Sequence, residues 1–342
     1  MQKKQVAVYI GKFQIPHLAH TGIMKDAINH YDELIVLVGS TNRRMSILHP
    51  FPFNTIRTWI KDVDSKIIVK PIKDYIYNDT KWITEVESSV YGEFLGEDVQ
   101  YTLVGHHKDD SSYYLDIFPN FMTKEFPSLE NGLSSTNLRN DLFNVGYRAL
   151  EGFVSKKVFE DLSEFVKTED YENLVDEANF YKKEKEIFST YPYPDTLKFN
   201  CSDAVVVCDG NVLLIQRKIN PGKDVWALPG GFTNTNETYK EGAIRELIEE
   251  TGIKIPQRAL ELSIKSSAVF DHPKRNIGIP RISMAFFFEV LPDIKKGVYR
   301  KLPKVKGSDD ANDAKWFPIS EVRKMKLFDD HLDVIDYFTN SI

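Results

Sequence analysis

The pattern of apolar and polar residues in the first half of the chain alternates between two kinds of segment. Short apolar runs rich in β-branched residues lie at 6–10, 34–38, 67–69 and 101–104, and longer amphipathic stretches lie at 19–31, 54–63 and 80–95. Strands that alternate with helices in this way predict an α/β domain built on a doubly wound parallel sheet.

The pattern changes after two charged segments, 155–170 and 172–188, that we predict to be helices closing this domain. The following segment, Ser189-Thr-Tyr-Pro-Tyr-Pro-Asp195, has two prolines in three residues, which disfavours helix and stiffens the chain. We therefore predict a first domain at 1–188, a linker at 189–199 and a second domain at 200–342. A length of 342 residues agrees with two hydrophobic cores.

The second half predicts a different order of elements. Asp209 and Gly210 separate two apolar runs and predict a hairpin, and 282–290 predicts a long strand. A helix is expected at 239–251, since Thr238 and Glu241 have capping-box spacing and Gly252 can end it. A final helix is expected after Pro318.

Composition narrows the functional classes. Hydrophobic residues make up 42% and charged residues 27% of the chain, and the net charge is −6, which gives no support for nucleic-acid binding. No apolar stretch is long enough for a membrane span, and the two cysteines, Cys201 and Cys208, are too few for a disulfide framework. We expect a cytoplasmic protein without a signal peptide, and the sequence leaves open whether it forms a homo-oligomer.

Three carboxylates of the predicted 239–251 helix have a spacing with chemical meaning. Glu246, Glu249 and Glu250 are three and four residues apart, so they share one helix face and would repel one another. An acidic face exposed to solvent is one interpretation. The other is a hard divalent cation with oxygen ligands, and Arg245 could orient one of the glutamates through a bidentate pair.

The surrounding residues favour the metal. Matching positions begin with Leu228, Pro229 and Gly230 and continue with Gly231, Glu237, Arg245, Glu246, Leu247, Glu249, Glu250, Gly252 and Ile253. This pattern resembles the Nudix box. The resemblance implies an α/β/α sandwich with a mixed sheet, and hydrolysis of a nucleoside diphosphate linked to another group. It also implies Mg²⁺ or Mn²⁺ held mainly by Glu246 and Glu250, with Glu249 assisting in metal binding and catalysis.

Segments downstream of the box concern the substrate. Asp271-His-Pro-Lys-Arg275, the run that begins at Arg281, and Gly307-Ser-Asp-Asp310 resemble ADP-ribose pyrophosphatases. The resemblance implies ADP-ribose contacts from Gly230, Gly231, Arg275 and Arg281; loop charges facing solvent are the alternative. Either Asp309 or Asp310 would support the catalytic water, and the sequence does not choose between them.

A turn after the first strand carries a possible phosphate site in the first half. Gly11, Lys12 and Phe13 lead to His17 and His20 at the predicted start of a helix, where backbone amides gather anions. A metal pair and two surface histidines are rival interpretations. A second segment, Gly132-Leu-Ser134-Ser135-Thr136-Asn-Leu-Arg139, offers hydroxyls and a guanidinium at another helix start.

The two segments together resemble the nucleotidyltransferases that have His-x-Gly-His and Ser-Ser-Thr-x-x-Arg motifs, here with Ala19 in place of the glycine. The resemblance implies a Rossmann-like fold in which His17, His20, Ser134, Ser135, Thr136 and Arg139 bind ATP phosphates, with the histidines and the arginine catalytic. Lys73-Asp-Tyr-Ile-Tyr-Asn78, followed by Trp82, resembles archaeal-type nicotinamide-mononucleotide (NMN) adenylyltransferases. By that resemblance Asn78 and Trp82 bind NMN; a helix core position is the alternative for Trp82. The loop after the fourth predicted strand, with Lys108 and Asp109, is expected to contribute to the substrate site because ligands of open α/β sheets lie at the carboxyl ends of strands.

The combination resembles the bifunctional NMN adenylyltransferase/ADP-ribose pyrophosphatase family. It implies that the first domain makes NAD and pyrophosphate from ATP and NMN, that the second cleaves ADP-ribose to AMP and ribose 5-phosphate, and that both need magnesium. Two alternatives stay open. One is a regulator whose Nudix domain only senses a nucleotide. The other is a transferase for another acceptor, such as nicotinate mononucleotide, a pantetheine phosphate or a cytidylyl acceptor, fused to a Nudix hydrolase of different specificity.

Overall fold

A computed structural model describes residues 3–106, 114–126, 133–295 and 299–340 of the chain. It divides into two compact units, Met1–Ala178 and Asn179–Ile342. Within the described ranges, no helix combines the length and the apolar character that crossing a membrane requires.

The first unit contains a five-stranded sheet in the order β3-β2-β1-β4-β5, and every neighbouring pair is parallel. The strands are β1 (Lys4–Gly11), β2 (Glu33–Val38), β3 (Ile68–Pro71), β4 (Val99–Gly105) and β5 (Met122–Glu125). The helices of this half are α1 (Leu18–His30), α2 (Phe53–Val63), α3 (Asp79–Tyr91), α4 (Ser135–Asn144), α5 (Lys156–Phe165) and α6 (Glu169–Phe188), with a short 3₁₀ helix at Tyr147–Leu150.

Alternate residues of β1 belong to two separate hydrophobic cores, one on each face of the sheet. Ala7 and Tyr9 pack with α1 and α2, whose Trp59 is 1% exposed. Val6 and Val8 pack with the apolar side of α3. Helices on both faces of a parallel sheet make a doubly wound domain, so the predicted fold class is confirmed.

The second unit contains a mixed sheet in the order β10-β11-β6-β7-β14. Only the β11–β6 pair is parallel along this path. The main strands are β6 (Phe199–Cys208), β7 (Asn211–Arg217), β8 (Trp226–Ala227), β9 (Gly230–Phe232), β10 (Ile264–Phe270), β11 (Arg281–Glu289) and β14 (Ala311–Pro318), and β12 (Asp293–Lys295) pairs with β13 (Tyr299–Lys301). The helices are α7 (Tyr239–Thr251), α8 (Gln257–Ser263), α9 (Ile319–Val322) and α10 (His331–Thr339), with a 3₁₀ turn at Pro194–Thr196.

Helices cover both faces of this sheet. Leu247 of α7 packs in one core with Phe288 of β11, and the neighbouring Phe287 stacks on Phe338 of α10 at 5.7 Å between ring centroids. Because consecutive residues of a strand point to opposite faces, α7 and α10 lie on opposite sides of the sheet. The predicted α/β/α sandwich with a mixed sheet is therefore confirmed.

Two predicted details need revision. The helix after Pro318 covers only Ile319–Val322, and the final helix begins at His331. Between them the chain turns, and Phe328 donates its N–H to the carbonyl of Trp226 at 2.9 Å. The four-residue segment after Val322 contains three basic residues, so it lacks an apolar face that would extend the helix.

The boundary between the two units falls inside a helix. α6 runs unbroken over Glu169–Phe188, whereas the units divide between Ala178 and Asn179. Glu177 forms an ion pair with Arg44 at 2.9 Å in the first unit, and Glu184 pairs with Arg281 at 2.8 Å in the second. The last ten residues of α6 therefore count with the second unit, although we predicted them to close the first domain.

Candidate active sites

The turn that follows β1 is held in one shape by its own backbone and by buried side chains. Phe13 and Ile15 have φ angles of 47° and 74°, in the left-handed region that non-glycine residues rarely adopt. Their side chains are 2% and 0% exposed. Gln14 exchanges two hydrogen bonds with the backbone of Phe51, at 3.0 and 3.1 Å. Such a turn presents the residues that follow it in a fixed position.

The two histidines stand at the start of α1, as predicted. His17 precedes the first helical residue, and its N–H donates to Nδ1 of His20 at 3.4 Å. Their rings stack with centroids 3.8 Å apart. The pair lies beyond the carboxyl end of β1, where open parallel sheets bind their ligands.

The structure brings the second predicted phosphate segment against this turn. Ser134 caps α4 by accepting the N–H of Asn137 at 3.2 Å. Ser135 donates its hydroxyl to the carbonyl of Ile15 at 3.1 Å. Arg139 donates to the carbonyl of Gln14 at 3.3 Å and to the Thr136 hydroxyl at 3.2 Å. Two segments more than a hundred residues apart in sequence thus form one site.

Positive charge dominates this site. Burial lowers the pKa of Arg139 to about 10. Lys12 pairs with Asp74 at 3.4 Å. Burial by itself raises the pKa of Asp74, but Lys12 and the hydroxyl of Ser40 outweigh it and hold the pKa below its usual value.

His49 lies among these cations and was not predicted from the sequence. Burial, and then the charges of Lys12, Arg139 and Arg43, lower its pKa from 6.5 to about 3, against an opposing effect of Asp74. His49 is therefore neutral at ordinary pH. The segment that carries Arg43 and His49 follows β2 at the same sheet edge, and its two adjacent arginines were a signal that pattern analysis could have used.

The predicted NMN residues also lie after a strand at this edge. Asn78 caps α3, and its side chain accepts the N–H of Lys81 at 2.9 Å. Trp82 is half-buried, with its ring 5.7 Å from Phe118 and 6.4 Å from Tyr114. Both residues have structural contacts that do not depend on a ligand. Lys108, Asp109 and Gly132 lie outside the residues that the structure describes.

The helix of the second site has the predicted ends. Thr238 accepts the N–H of Glu241 at 3.3 Å, and Glu241 accepts the N–H of Thr238 at 2.8 Å, which completes the capping box. Gly252 ends α7 in the left-handed conformation with φ 54°. The helix is fixed at both ends, so the carboxylates on it are positioned by the backbone.

Arg245 connects the acidic residues of this helix. Its guanidinium binds Glu237 through two bonds of 2.7 and 3.0 Å, so the bidentate pair forms with a glutamate that precedes the helix and not with one of the three on it. It also donates to Glu246 at 2.7 Å, to Glu249 at 2.9 Å and to the carbonyl of Phe232 at 3.1 Å. The Glu237 and Glu246 contacts are partly buried, and the five bonds tie the helix to the loop before it.

Glu250 and Glu246 of α7 lie against β9, the strand that precedes this helix. Glu250 is 6% exposed and accepts the N–H of Gly230 at 2.9 Å. Burial raises its pKa to about 8, and the negative charge of Glu246 adds to that effect. Burial also raises the pKa of Glu246. A side chain at Gly231 would place its Cβ 2.6 Å from Oε1 of Glu246, so any larger residue there would displace this carboxylate.

These two carboxylates fit a hard divalent cation by their chemistry. They are oxygen donors and they are largely removed from water, and the charge of Glu246 makes the charged form of Glu250 less favourable. A cation at this point would offset that repulsion. Among the described residues, no three acidic, histidine or cysteine side chains are already grouped as a metal site. Glu249 instead points to Arg245, at 2.9 Å.

A cavity of about 1010 Å³ opens beside Glu246 and Glu250 and is lined also by Arg275, Arg281 and Asp310. Arg275 is 7% exposed and binds Asp330 through bonds of 2.9 and 3.0 Å. The alternative of loop charges facing solvent is therefore wrong for Arg275. Arg281, whose side chain is 16% exposed, pairs with Glu184 in the same unit.

Two further contacts define the wall of this cavity. His331 of α10 accepts the N–H of Leu228 through Nδ1 at 2.8 Å, and so holds the loop that leads into Gly230 and Gly231. Asp310 lines the cavity, whereas the carbonyl of Asp309 accepts a bond from Lys218 at 3.1 Å. Sequence patterns did not point to His331, because it is isolated in the chain from every motif.

Family models match both halves of the chain. The cytidylyltransferase-like family model matches residues 8–141, and the NUDIX domain model matches residues 199–338. The chain is thus a two-domain enzyme in which a nucleotidyltransferase precedes a Nudix hydrolase.

Individual relatives resemble either half or the whole. A nicotinamide/nicotinic acid mononucleotide adenylyltransferase of Acinetobacter baylyi is 29% identical over 190 residues, covering 51% of this chain and 100% of the relative. An ADP-ribose pyrophosphatase of Methanocaldococcus jannaschii is 35% identical over 135 residues, covering 40% of this chain and 70% of the relative.

The solved structure of a bifunctional NMN adenylyltransferase/ADP ribose pyrophosphatase from Francisella tularensis superposes with a TM-score of 0.87 at 29% identity, covering 98% of this chain and 99% of that one. A second structure of such a Francisella enzyme, complexed with AMP and Mn ion, gives a TM-score of 0.86 at 28% identity, with 99% of both chains covered. The chain belongs to the family of bifunctional nicotinamide-nucleotide adenylyltransferase/Nudix ADP-ribose pyrophosphatases.

Proposed function

We propose that the first domain transfers the adenylyl group of ATP to NMN, giving NAD and pyrophosphate, and that the second hydrolyses ADP-ribose to AMP and ribose 5-phosphate with Mg²⁺ or Mn²⁺. The observation that carries the proposal is the similarity to the bifunctional Francisella enzyme along 98% of this chain. The geometry of the two sites supports each reaction separately.

In the first reaction, the phosphate of NMN attacks the α-phosphorus of ATP, and pyrophosphate leaves. Negative charge grows on the leaving oxygen and spreads over the triphosphate, so catalysis depends on positioning and on charge stabilisation. Lys12 and Arg139 supply fixed positive charge, and His17 and His20 can donate hydrogen bonds at the start of α1. The phosphate contacts are completed by Gly11 and Phe13 of the turn and by Ser134, Ser135 and Thr136.

The acceptor would lie beside Trp82, whose aromatic face suits the cationic pyridinium of NMN. Asn78 would bind the amide, and Lys108 and Asp109 would contribute from the loop after β4. Nicotinate mononucleotide is a second candidate acceptor, favoured by the 29% identity to the Acinetobacter relative, whose name includes both mononucleotides.

In the second reaction, water attacks a phosphorus of the diphosphate, and the bridging bond breaks to give two monophosphates. Glu246 and Glu250 would hold the divalent cation with help from Glu249, and the cation supplies charge stabilisation for the diphosphate and favours deprotonation of the attacking water. Arg245 keeps Glu246 and Glu249 in place. Asp310, which lines the cavity, is the better placed candidate to support the water.

Substrate contacts of the second site would come from Gly230, Gly231 and Arg281. We propose that Arg275 shapes the cavity wall, because its bidentate pair with Asp330 already uses its guanidinium.

The test is a substrate panel on the purified full chain. ATP is offered with NMN, nicotinate mononucleotide or a pantetheine phosphate, and ADP-ribose is compared separately with NADH, a dinucleoside polyphosphate and an oxidised nucleoside triphosphate. NAD formation from NMN and the release of AMP from ADP-ribose are expected as the preferred reactions. Preference for a pantetheine phosphate would overturn the first assignment, and preference for a dinucleoside polyphosphate would overturn the second.

A further inference from the structure

A carboxylate occupies a core position of α6 in the first unit. Leu174 and Glu177 are three residues apart and both are 3% exposed, so they share the buried face of the helix. A buried carboxylate needs a partner, because taking its charge out of water has a high cost. Glu177 lies beyond residues 8–141, which the cytidylyltransferase-like family model matches.

The partner of Glu177 is Arg44, in the segment that follows β2. The guanidinium of Arg44 binds both carboxylate oxygens of Glu177, at 2.9 and 3.0 Å, and Arg44 is 6% exposed. Arg44 also donates to the carbonyl of Met45 at 2.8 Å, so it fixes the backbone of its own segment. Two parallel bonds between buried charged groups set the orientation of the guanidinium as well as its position.

The segment that Arg44 anchors runs from Ser40 to His49 and has further fixed points. Asn42 exchanges two hydrogen bonds with the backbone of Asp74, at 2.9 and 3.0 Å. Ser46 and His49 exchange backbone hydrogen bonds at 2.9 and 3.4 Å. The segment therefore has one defined shape, and Glu177 is its anchor on α6.

Arg43 lies between the anchored residues Asn42 and Arg44. Burial is the largest cause of the lowered pKa of His49, and the charges of Lys12 and then Arg43 add to it. The guanidinium of Arg43 is therefore close enough to act together with Lys12 of the phosphate-binding turn. Because both of its neighbours are tied to other parts of the first unit, the placement of Arg43 depends in part on Glu177.

The same helix supports the other cationic segment of the first site. The hydroxyl of Tyr171 in α6 donates to the carbonyl of Leu142 at 3.0 Å. Leu142 belongs to α4, the helix that carries Arg139. The first half of α6 therefore contacts both elements that bring a guanidinium to this site.

We propose that Glu177 is a positioning residue of the first site: through its bidentate pair with Arg44 it holds Arg43 where the triphosphate of ATP binds. The inference rests on the proposed adenylyl transfer and adds to it a buried residue that acts without touching either substrate. It makes the first half of α6 necessary for the synthetic reaction.

The test measures NAD synthesis by the full chain, with KM for ATP, KM for NMN and kcat determined separately. Glu177→Gln keeps the size of the side chain and removes the charge that the guanidinium binds. Glu172→Gln is the matched control, with the same substitution at an exposed position of the same helix. The double variant Arg44→Met/Glu177→Met removes the pair without leaving a buried charge, so it remains informative if Glu177→Gln does not fold.

Glu177→Gln should raise KM for ATP by about tenfold, the effect of misplacing one charge-assisted hydrogen bond. KM for NMN and the rate of ADP-ribose hydrolysis should stay unchanged. The Arg44→Met/Glu177→Met protein should show the same rise, and Glu172→Gln should show none. An unchanged KM for ATP in the folded variants would overturn the inference, and so would a fall in kcat alone.

A double-mutant cycle tests whether Glu177 acts through Arg43. Arg43→Gln should raise KM for ATP by about tenfold, and adding Glu177→Gln should raise it no further. Additive effects, about a hundredfold together, would show that Glu177 acts independently of Arg43 and would overturn the inference.

The unchanged protein separates this inference from the proposed reaction. If it transfers the adenylyl group only to another acceptor, the proposed reaction is wrong, and the same measurements of KM for ATP with that acceptor still test the pair. If it makes NAD from NMN and the loss of the pair leaves KM for ATP unchanged, the reaction stands and the positioning role is wrong.

Discussion

The two sites are both proposed to bind phosphate groups, but their charged side chains have opposite signs. Both proposed substrates are phosphoanhydrides, yet the first site places the cations Lys12 and Arg43 around its carboxylate Asp74, and Arg139 acts with them on the neighbouring His49. The second site places Glu246 and Glu250 together in a largely buried position, where Arg245 holds Glu246 and the N–H of Gly230 holds Glu250. The first site therefore carries its positive charge in side chains, whereas in the proposed mechanism the second site obtains it from a bound divalent cation.

The largest effect is expected from Glu250→Gln, which keeps the size of the side chain and removes a ligand charge. Hydrolysis of ADP-ribose should fall by about 10³-fold, the upper end for loss of one charge-stabilising group, while NAD synthesis stays unchanged. Both rates are measured on one preparation. Glu261→Gln, on α8, is the control. Loss of both activities in a folded Glu250→Gln protein would contradict the independence of the sites.

His20→Ala is the reverse experiment. NAD synthesis should fall by about 10²-fold, because one donor is lost while Lys12 and Arg139 remain, and hydrolysis should be unaffected. His30→Ala, near the end of the same helix, should change neither rate. Full synthetic activity in His20→Ala would remove His20 from the proposed catalytic residues.

Arg245→Lys tests whether the arrangement of the acidic site depends on the fork of the guanidinium. Lysine keeps the charge but cannot bind Glu237 through two bonds while holding Glu246 and Glu249, so hydrolysis should fall by about tenfold. A matching rise in the Mg²⁺ concentration needed for half-maximal rate should accompany it. An unchanged metal requirement would show that Arg245 does not position the metal-binding carboxylates.

The last effect concerns His49 and is a change in the pH dependence of stability, not in a reaction rate. In the folded protein the pKa of His49 is about 3, against an ordinary value of 6.5, so the unfolded chain takes up a proton first as the pH falls. His49 should therefore cost no stability above pH 6.5 and an increasing amount as the pH drops toward 3. The difference in unfolding free energy between the unchanged protein and His49→Gln, measured from pH 7 to 4, should shift in favour of the variant as the pH falls. A difference that does not change with pH would contradict a neutral, buried His49.

Sequence patterns predicted elements well where burial is one-sided or complete. β1, β2 and β4 are buried along most of their length and were predicted, and β3 was predicted from the apolar run at 67–69, whereas β5 (Met122–Glu125) is exposed along its length and offered no pattern. The ends of α7 could be predicted because each depends on residues close together in sequence. These are the capping box of Thr238 and Glu241 and the C-terminal Gly252.

The parts of the sites that could not be predicted depend on tertiary contacts. Phe13 and Ile15 are buried and adopt left-handed backbone conformations. Neither residue type favours that conformation, so nothing in the sequence indicated it. His49 becomes chemically unusual only through Lys12 and Arg139, which are distant in sequence. Arg275 was recognised as a candidate, but its bidentate partner Asp330 is 55 residues away.

The pair of Glu184 and Arg281 has a consequence for how this chain can be divided into modules. A Nudix fragment that begins in the proline-rich segment after Phe188 would lose Glu184, whose carboxylate pairs with Arg281. It would also lose Phe188, whose ring packs against Phe199. A cut at Asn179 would retain both. For recombination between relatives, the last turns of α6 should therefore be kept with the hydrolase, and the joint between the two compact units lies inside α6 and not in the proline-rich segment after it.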